Sequence, residues 1–215
     1  NLYAFTPADA QDVPQTSLDG WMLAELDKLI ADVPAAYDRY ELHRVFRALY
    51  DFCAVQVSAV YGDKMKDRLY CDAPNSMLRR RCQTVMHKMV VALTKLLAPM
   101  LVFTADEAWE HIKDKPEGEG ESGHLAPVPQ PSGDIVTEAQ QEEWRLVMDL
   151  KDQALLQLDK LKKDVGLNKA LDAEVIYSVD DPELCRKLEA YGVDLEDIVG
   201  AGFHSFAEKD TPGPA

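Results

Sequence analysis

VSAVYGDKMKDRLYCDAP, residues 57–74, decides how this chain is read. The segment finishes an amphipathic helix, and Gly62-Asp63 is expected to break it. A basic, aromatic-edged turn is expected next: Lys64-Met65-Lys66-Asp67-Arg68-Leu69-Tyr70. Arg79-Arg80-Arg81 follows shortly after. Cations beside an exposed ring suit phosphate contacts with bases stacked nearby.

Working outward, the chain is 215 residues long and 47% hydrophobic, enough for a substantial core and too apolar for a disordered segment. Its net charge of −15 is the wrong sign for a polyanion binder, but the charge is unevenly spread. Residues 1–39 carry 2 basic and 7 acidic groups, residues 40–103 carry 10 and 5, and residues 104–215 carry 11 and 26. The middle third is a basic island of net +5, and the local field decides where a polyanion docks.

Helical periodicity surrounds that island. Ser17 or Asp19 can cap a first helix with Met22, Leu26, Leu29, Val33 and Tyr37 on one face, and Pro34 predicts a kink or an early end. A second helix is expected over 41–61, with Leu42, Val45, Leu49, Phe52 and Cys53 on its core stripe and Arg44 and Arg47 toward solvent. A third runs over 76–98 on Cys82, Met86, Met89, Leu93, Leu96 and Leu97. Arg81, Thr84, Lys88 and Lys95 form a polar, mostly basic ridge beside that stripe. Thr104 is placed as the cap of a short helix over 105–112.

Residues 113–134 are rich in Pro, Gly and Glu and read as an exposed loop or linker. A long helix over 138–165, ended by Gly166, leads to a strand over 173–179 and a helix begun by Asp181-Pro182. Residues 195–199 and 202–206 read as further short strands. The expected architecture is mainly α: a helical bundle over 1–135, then a long helix with a small α/β unit over 136–215.

Catalytic chemistry is missing from the pattern. There is no phosphate-binding glycine loop and no nucleophile elbow. His43, His87, His111, His124 and His204 do not pair at metal spacing, and no cysteines form a CxxC pair, so no metal is expected. Cys53 and Cys82 fit buried free thiols in a reducing, cytoplasmic setting. No apolar run is long enough to span a membrane. The chain opens with Asn rather than Met and reads as a piece of something larger.

LYDFCAVQVSAVYGDKMKDRLYCDAP at 49–74 resembles a segment of bacterial-type isoleucyl-tRNA synthetases. So do LDGWMLAELDKLI at 18–30, the stretch from Arg79 to Ile112, HLAPVP at 124–129 and the stretch from Glu142 to Tyr177. The resemblance covers almost the whole chain. It implies the helical anticodon-binding domain of a class I synthetase, followed by its small junction domain. The parent enzyme would attach isoleucine to its tRNA using ATP with Mg; this fragment, without the catalytic and editing domains, would be non-catalytic and hold no cofactor. The implied partners are the anticodon stem-loop of the isoleucine tRNA and the rest of the synthetase chain, with the protein a monomer. Valyl, leucyl and methionyl enzymes share the bundle, and a helical protein-interaction module is the alternative of another class.

Within that reading, Lys64, Lys66, Arg68, Arg79, Arg80, Arg81 and Lys88 are the expected phosphate contacts. Tyr70 and Arg68 are the expected platforms for unstacked bases. Consecutive helical residues point about 100° apart, so the three arginines cannot all face one ligand, and Arg81, in line with Lys88, is preferred. Lys64-Met65-Lys66 lacks the Ser residues of the family's nucleotide-binding signature. Three departures from the family pattern stand out: Gly20 in place of a basic residue, Gly62 in place of a larger one, and Gly166-Leu167-Asn168-Lys169 in place of an IGKSL-like turn.

Overall fold

Helices dominate the computed structural model, which describes residues 2, 5–6, 12–113, 115, 119–132, 137–166 and 172–208. Leu167–Lys169 therefore lie outside the described residues. The chain divides into two compact units, Asn1–Gln15 with Asp19–Ile135 and Thr16–Leu18 with Val136–Ala215.

The first unit is the bundle. Helix α1 (Leu18–Asp38) buries Met22, Leu26, Leu29, Ile30 and Val33, the three-and-four spacing of one helix face. Asp19 does not cap it. It lies inside the first turn and is fully buried. The expected early end at Pro34 does not occur either; Tyr37 Oη donates to the Leu96 carbonyl at 3.0 Å and holds the last turn in place. The stop comes at Tyr40, whose φ of 57° is left-handed. Glu41 N–H donates to Ala36 O at 2.9 Å and Tyr40 N–H to Tyr37 O at 2.9 Å. This is the Schellman pattern, with a tyrosine where glycine is usual.

Gly20 explains its own departure. A Cβ there would lie 2.3 Å from Pro14 O and 2.8 Å from Gln15 Cα. No side chain fits, basic or otherwise. Gly20→Ala is expected to cost about 1–3 kcal/mol, the usual range for overpacking. Urea unfolding followed by helical circular dichroism checks it, and an unchanged midpoint would refute the close packing.

Helix α2 (Leu42–Asp51) buries Val45 and Leu49 but leaves Leu42 exposed, against the expected stripe. No break follows. A π-helical segment (Phe52–Gly62) leads directly into α3 (Asp63–Tyr70), so the expected basic turn is helix. Gly62 keeps ordinary helical angles, φ −64° and ψ −35°. A Cβ on it would approach Val57 O to 2.8 Å, five residues back, which is the π spacing. Glycine here admits the wide turn rather than ending the helix.

Helix α4 (Met77–Leu97) buries Cys82, Val85, Met89, Ala92 and Leu96, while Met86, Leu93 and Leu97 are half-buried. Burial pushes the Cys82 thiol up to about 12. Cys53 is only half-buried and Cys71 is exposed. Helix α5 (Val102–His111) starts a turn earlier than expected: Leu101 takes the cap position and Thr104 lies exposed within the helix.

The Pro/Gly/Glu-rich segment is not a loose linker where it is described. Asp106 Oδ1 accepts from Ser122 Oγ at 2.6 Å, and buried Trp109 donates Nε1–H to Gly120 O at 3.0 Å. Gly123 packs on Trp109, where an added Cβ would meet the Trp109 Cβ at 3.3 Å and the ring at 3.4 Å. Lys95 turns inward to pair with Glu119, its Nζ 5.7 Å from the Trp109 centroid. Lys95 thus leaves the expected basic ridge, as does buried Thr84, which donates to Arg80 O at 2.7 Å.

The second unit begins with helix α6 (Glu138–Val165). Thr137 and Gln140 exchange side-chain and backbone hydrogen bonds in a capping box, and Gly166 closes the helix at φ 71°. Strand β1 (Glu174–Val179) buries Tyr177 and Val179 and exposes Ile176 and Ser178, the alternation of a one-sided sheet. Asp181 caps α7 (Pro182–Glu189) by accepting from Glu183 N–H at 2.9 Å. Residues 195–199 are not a strand but the end of α8 (Gly192–Val199). Tyr191, Leu195, Ile198 and Val199 are all buried, a helical rather than alternating spacing. Strand β2 (Phe203–Glu208) pairs parallel to β1, Glu174 opposite Phe203 through Val179 opposite Glu208. Parallel strands need a crossover, and α7 and α8 supply it. Among the described residues no helix is long and apolar enough to cross a membrane.

Candidate nucleic-acid interface

Continuity of the helix through Gly62 decides where the basic residues point. Arg68 lands on the inner face of α3 with buried Met65 and Leu69. Its guanidinium lies 3.3 Å from Asp19 Oδ2, and Tyr61 donates to Asp19 Oδ1 at 2.5 Å. The Tyr61 phenol is pushed well above its ordinary pKa, first by burial and then by the Asp19 charge. Arg68 is only 6% exposed, so it is neither a base platform nor a surface phosphate contact. A helix in place of the expected turn, and an acid 49 residues earlier, account for that correction.

The outer face of α3 keeps the rest. Lys66 is exposed, Lys64 half-buried, and Tyr70 presents 66% of its surface. The three consecutive arginines fan out, each to its own acceptor. Arg79 Nη1 donates to Asp72 O at 2.9 Å, Arg80 Nη1 to Gln83 Oε1 at 3.1 Å, and Arg81 Nε to Asp12 O at 3.0 Å. All three are half-buried, whereas Lys88, further along α4, is exposed. Lys66, Tyr70 and Lys88 are thus exposed, while Arg68 is buried against Asp19 and the three arginines are half-buried.

A second basic surface lies on α2. Phe46 and Tyr50 are 58% and 61% exposed, with ring centroids 5.9 Å apart and planes 24° from parallel. His43, Arg44 and Arg47 are exposed on the same helix. Tyr40, 87% exposed at its strained turn, adds another ring. Between Arg39 and Tyr50 the only acid is Glu41. From the sequence Arg44 and Arg47 point to solvent, and Asp51, four residues after Arg47, offers it an ion pair; the rings at Phe46 and Tyr50 are not part of that reading. The signal was present, since His43, Phe46, Arg47 and Tyr50 stand three and four apart and share one side of a helix. Exposed stacked rings with guanidinium neighbours can hold unstacked bases and their phosphates.

The family model for the anticodon-binding domain of tRNA ligase matches residues 19–177, and the chain belongs to that family. It is similar to the isoleucine–tRNA ligase of Geobacillus kaustophilus (strain HTA426), 39% identical over 212 residues that make up 97% of this chain and 23% of that protein. The isoleucine–tRNA ligase of Symbiobacterium thermophilum is 39% identical over 178 residues, covering 81% of this chain and 19% of its own length. That of Persephonella marina is 36% identical over 184 residues, covering 84% and 19%. The chain thus spans about a quarter of the length of the curated relatives it matches, or less.

Proposed function

We propose that this chain recognises the anticodon arm of an isoleucine tRNA, as the RNA-reading part of a protein whose other parts ligate isoleucine to that tRNA using ATP. The chain itself contributes recognition and no bond chemistry. One observation carries the reading: the exposed Phe46–Tyr50 stack with exposed His43 and Arg47 on the same side of α2, on a chain of net charge −15. A solvated helix has no use for two exposed rings stacked on each other. Lys64, Lys66, Arg47 and Lys88 would meet phosphates and set the register of the arm. Phe46, Tyr50 and Tyr70 would hold bases drawn out of the loop, and sequence discrimination would come from those bases.

Titrating the 215-residue chain with the isoleucine anticodon stem-loop at two salt concentrations tests this. Binding is expected at low salt and should weaken steeply as salt rises. Lys66→Glu should weaken it and flatten the slope of log K against log salt by about 0.7–0.9 for each phosphate that is no longer neutralised. Phe46→Ala should cost about 1–3 kcal/mol with the slope unchanged. No binding at low salt sinks the proposal, and equal binding of a methionine anticodon stem-loop sinks its specificity.

A further inference from the structure

The corner between α1 and α2 holds an anion of its own. Glu41 Oε2 accepts from Arg39 Nε at 3.1 Å and from Arg44 Nη1 at 3.0 Å. The three side chains are 30%, 56% and 62% exposed, in that order, so the clamp sits at the surface. The hydrogen bond from Arg44, then that from Arg39, holds the Glu41 carboxyl below its ordinary pKa. Two shallow clefts of about 380 and 430 Å³ meet here and share Arg44 and Ala48. One reaches Arg39 and Asp32, the other His43 and Arg47. Tyr40 sits between the clamp residues in its strained left-handed conformation, and strain of that kind gathers at functional sites.

A carboxylate between two guanidinium groups has the charge and the acceptor geometry of a phosphodiester. We propose that the Arg39–Arg44 pair is a binding site for an RNA backbone phosphate, and that Glu41 fills it as a built-in competitor until the phosphate displaces it. Surface ion pairs of this exposure are weak and exchange readily. An RNA that fits the neighbouring α2 face gains enough to displace Glu41, and one that does not fit meets a site already neutralised. Glu41 then acts as a specificity device, raising the threshold for loosely matched RNA. The inference rests on the anticodon-arm reading above and adds a phosphate site and a competitor to it.

The test is Glu41→Gln in the 215-residue chain, titrated with the isoleucine anticodon stem-loop at low salt. Removing the competing charge should tighten binding about three- to tenfold and should narrow the margin over a non-cognate stem-loop. In an Arg39→Gln/Arg44→Gln background the same substitution should gain less than about twofold. That background separates the clamp from a general change in net charge. If Glu41→Gln binds no tighter while Phe46→Ala still weakens binding, the competitor falls and the anticodon-arm reading stands. An equal gain in the double-arginine background also overturns the competitor. If the unaltered chain does not bind the stem-loop, both readings fall together.

Discussion

Asp19→Ala is expected to lower the unfolding free energy by about 3–5 kcal/mol, because it removes a buried carboxylate from a buried ion pair. Arg68 is 8% exposed at its side chain and Asp19 1%. Water therefore cannot replace the missing carboxylate at the guanidinium. Tyr61, itself fully buried, loses the acceptor 2.5 Å from its hydroxyl. Three elements meet at this one acid: α1 supplies Asp19, the π segment Tyr61, and α3 Arg68. Urea unfolding at neutral pH, followed by helical circular dichroism, measures the loss. Asp19→Asn keeps the shape and one acceptor and should cost less. Replacing both charges with apolar groups should recover much of the stability, since a buried pair is seldom better than good packing. A loss below about 1 kcal/mol for Asp19→Ala would mean that the pair is hydrated in solution.

The second large effect is expected at Trp109. Alanine there should cost about 3–5 kcal/mol, the range for deleting a fully buried large aromatic side chain. Trp109 is 0% exposed. It also anchors the segment over it through the Gly120 carbonyl, the Gly123 contact and the ammonium groups of Lys95 and Lys115, at 5.7 and 5.6 Å from its ring. Two readouts should therefore move together. The melting temperature should fall, and limited proteolysis should cut within 119–132 under conditions that leave the unaltered chain whole. Trp109→Phe keeps most of the apolar area and loses the N–H, so its stability loss should be closer to 1 kcal/mol. Unchanged protease resistance in the alanine variant would show that the segment is held by other contacts.

What the sequence made legible was local. Helix α6 could be placed from Glu138 to Val165 because a left-handed glycine ends it within the same stretch that carries its apolar stripe. Asp181-Pro182 announced α7 for a similar reason. The errors came from partners distant in sequence or from short runs. Residues 195–199 are too few for a period of two to be told from 3.6, and Tyr191 supplies the missing helical contact. Arg68 looked like a ligand-facing cation until Asp19, far away along the chain, took it inside. The basic, aromatic face of α2 was open to inspection at His43, Phe46, Arg47 and Tyr50. It is easily passed over because Asp51, four residues after Arg47, offers that cation an ion pair and so a reason to be there without the rings. Glu119 shows the converse, an acid in a loop of low-complexity appearance that serves as the partner of Lys95.

The π segment has a bearing on how this surface could change. Each residue of an α-helix advances the azimuth by about 100°. A stretch bonded five apart instead of four holds one residue more per ring, so it fixes the compass bearing at which α3 leaves α2. Shortening Phe52–Gly62 by one residue would change that bearing and turn every α3 side chain together. Lys66 and Tyr70 would swing off the outer surface, and Arg68 would turn away from Asp19. The aim of α3 is therefore encoded by chain length between two fixed helices, and an insertion or deletion there re-aims the whole segment at once, which no point substitution on α3 can do.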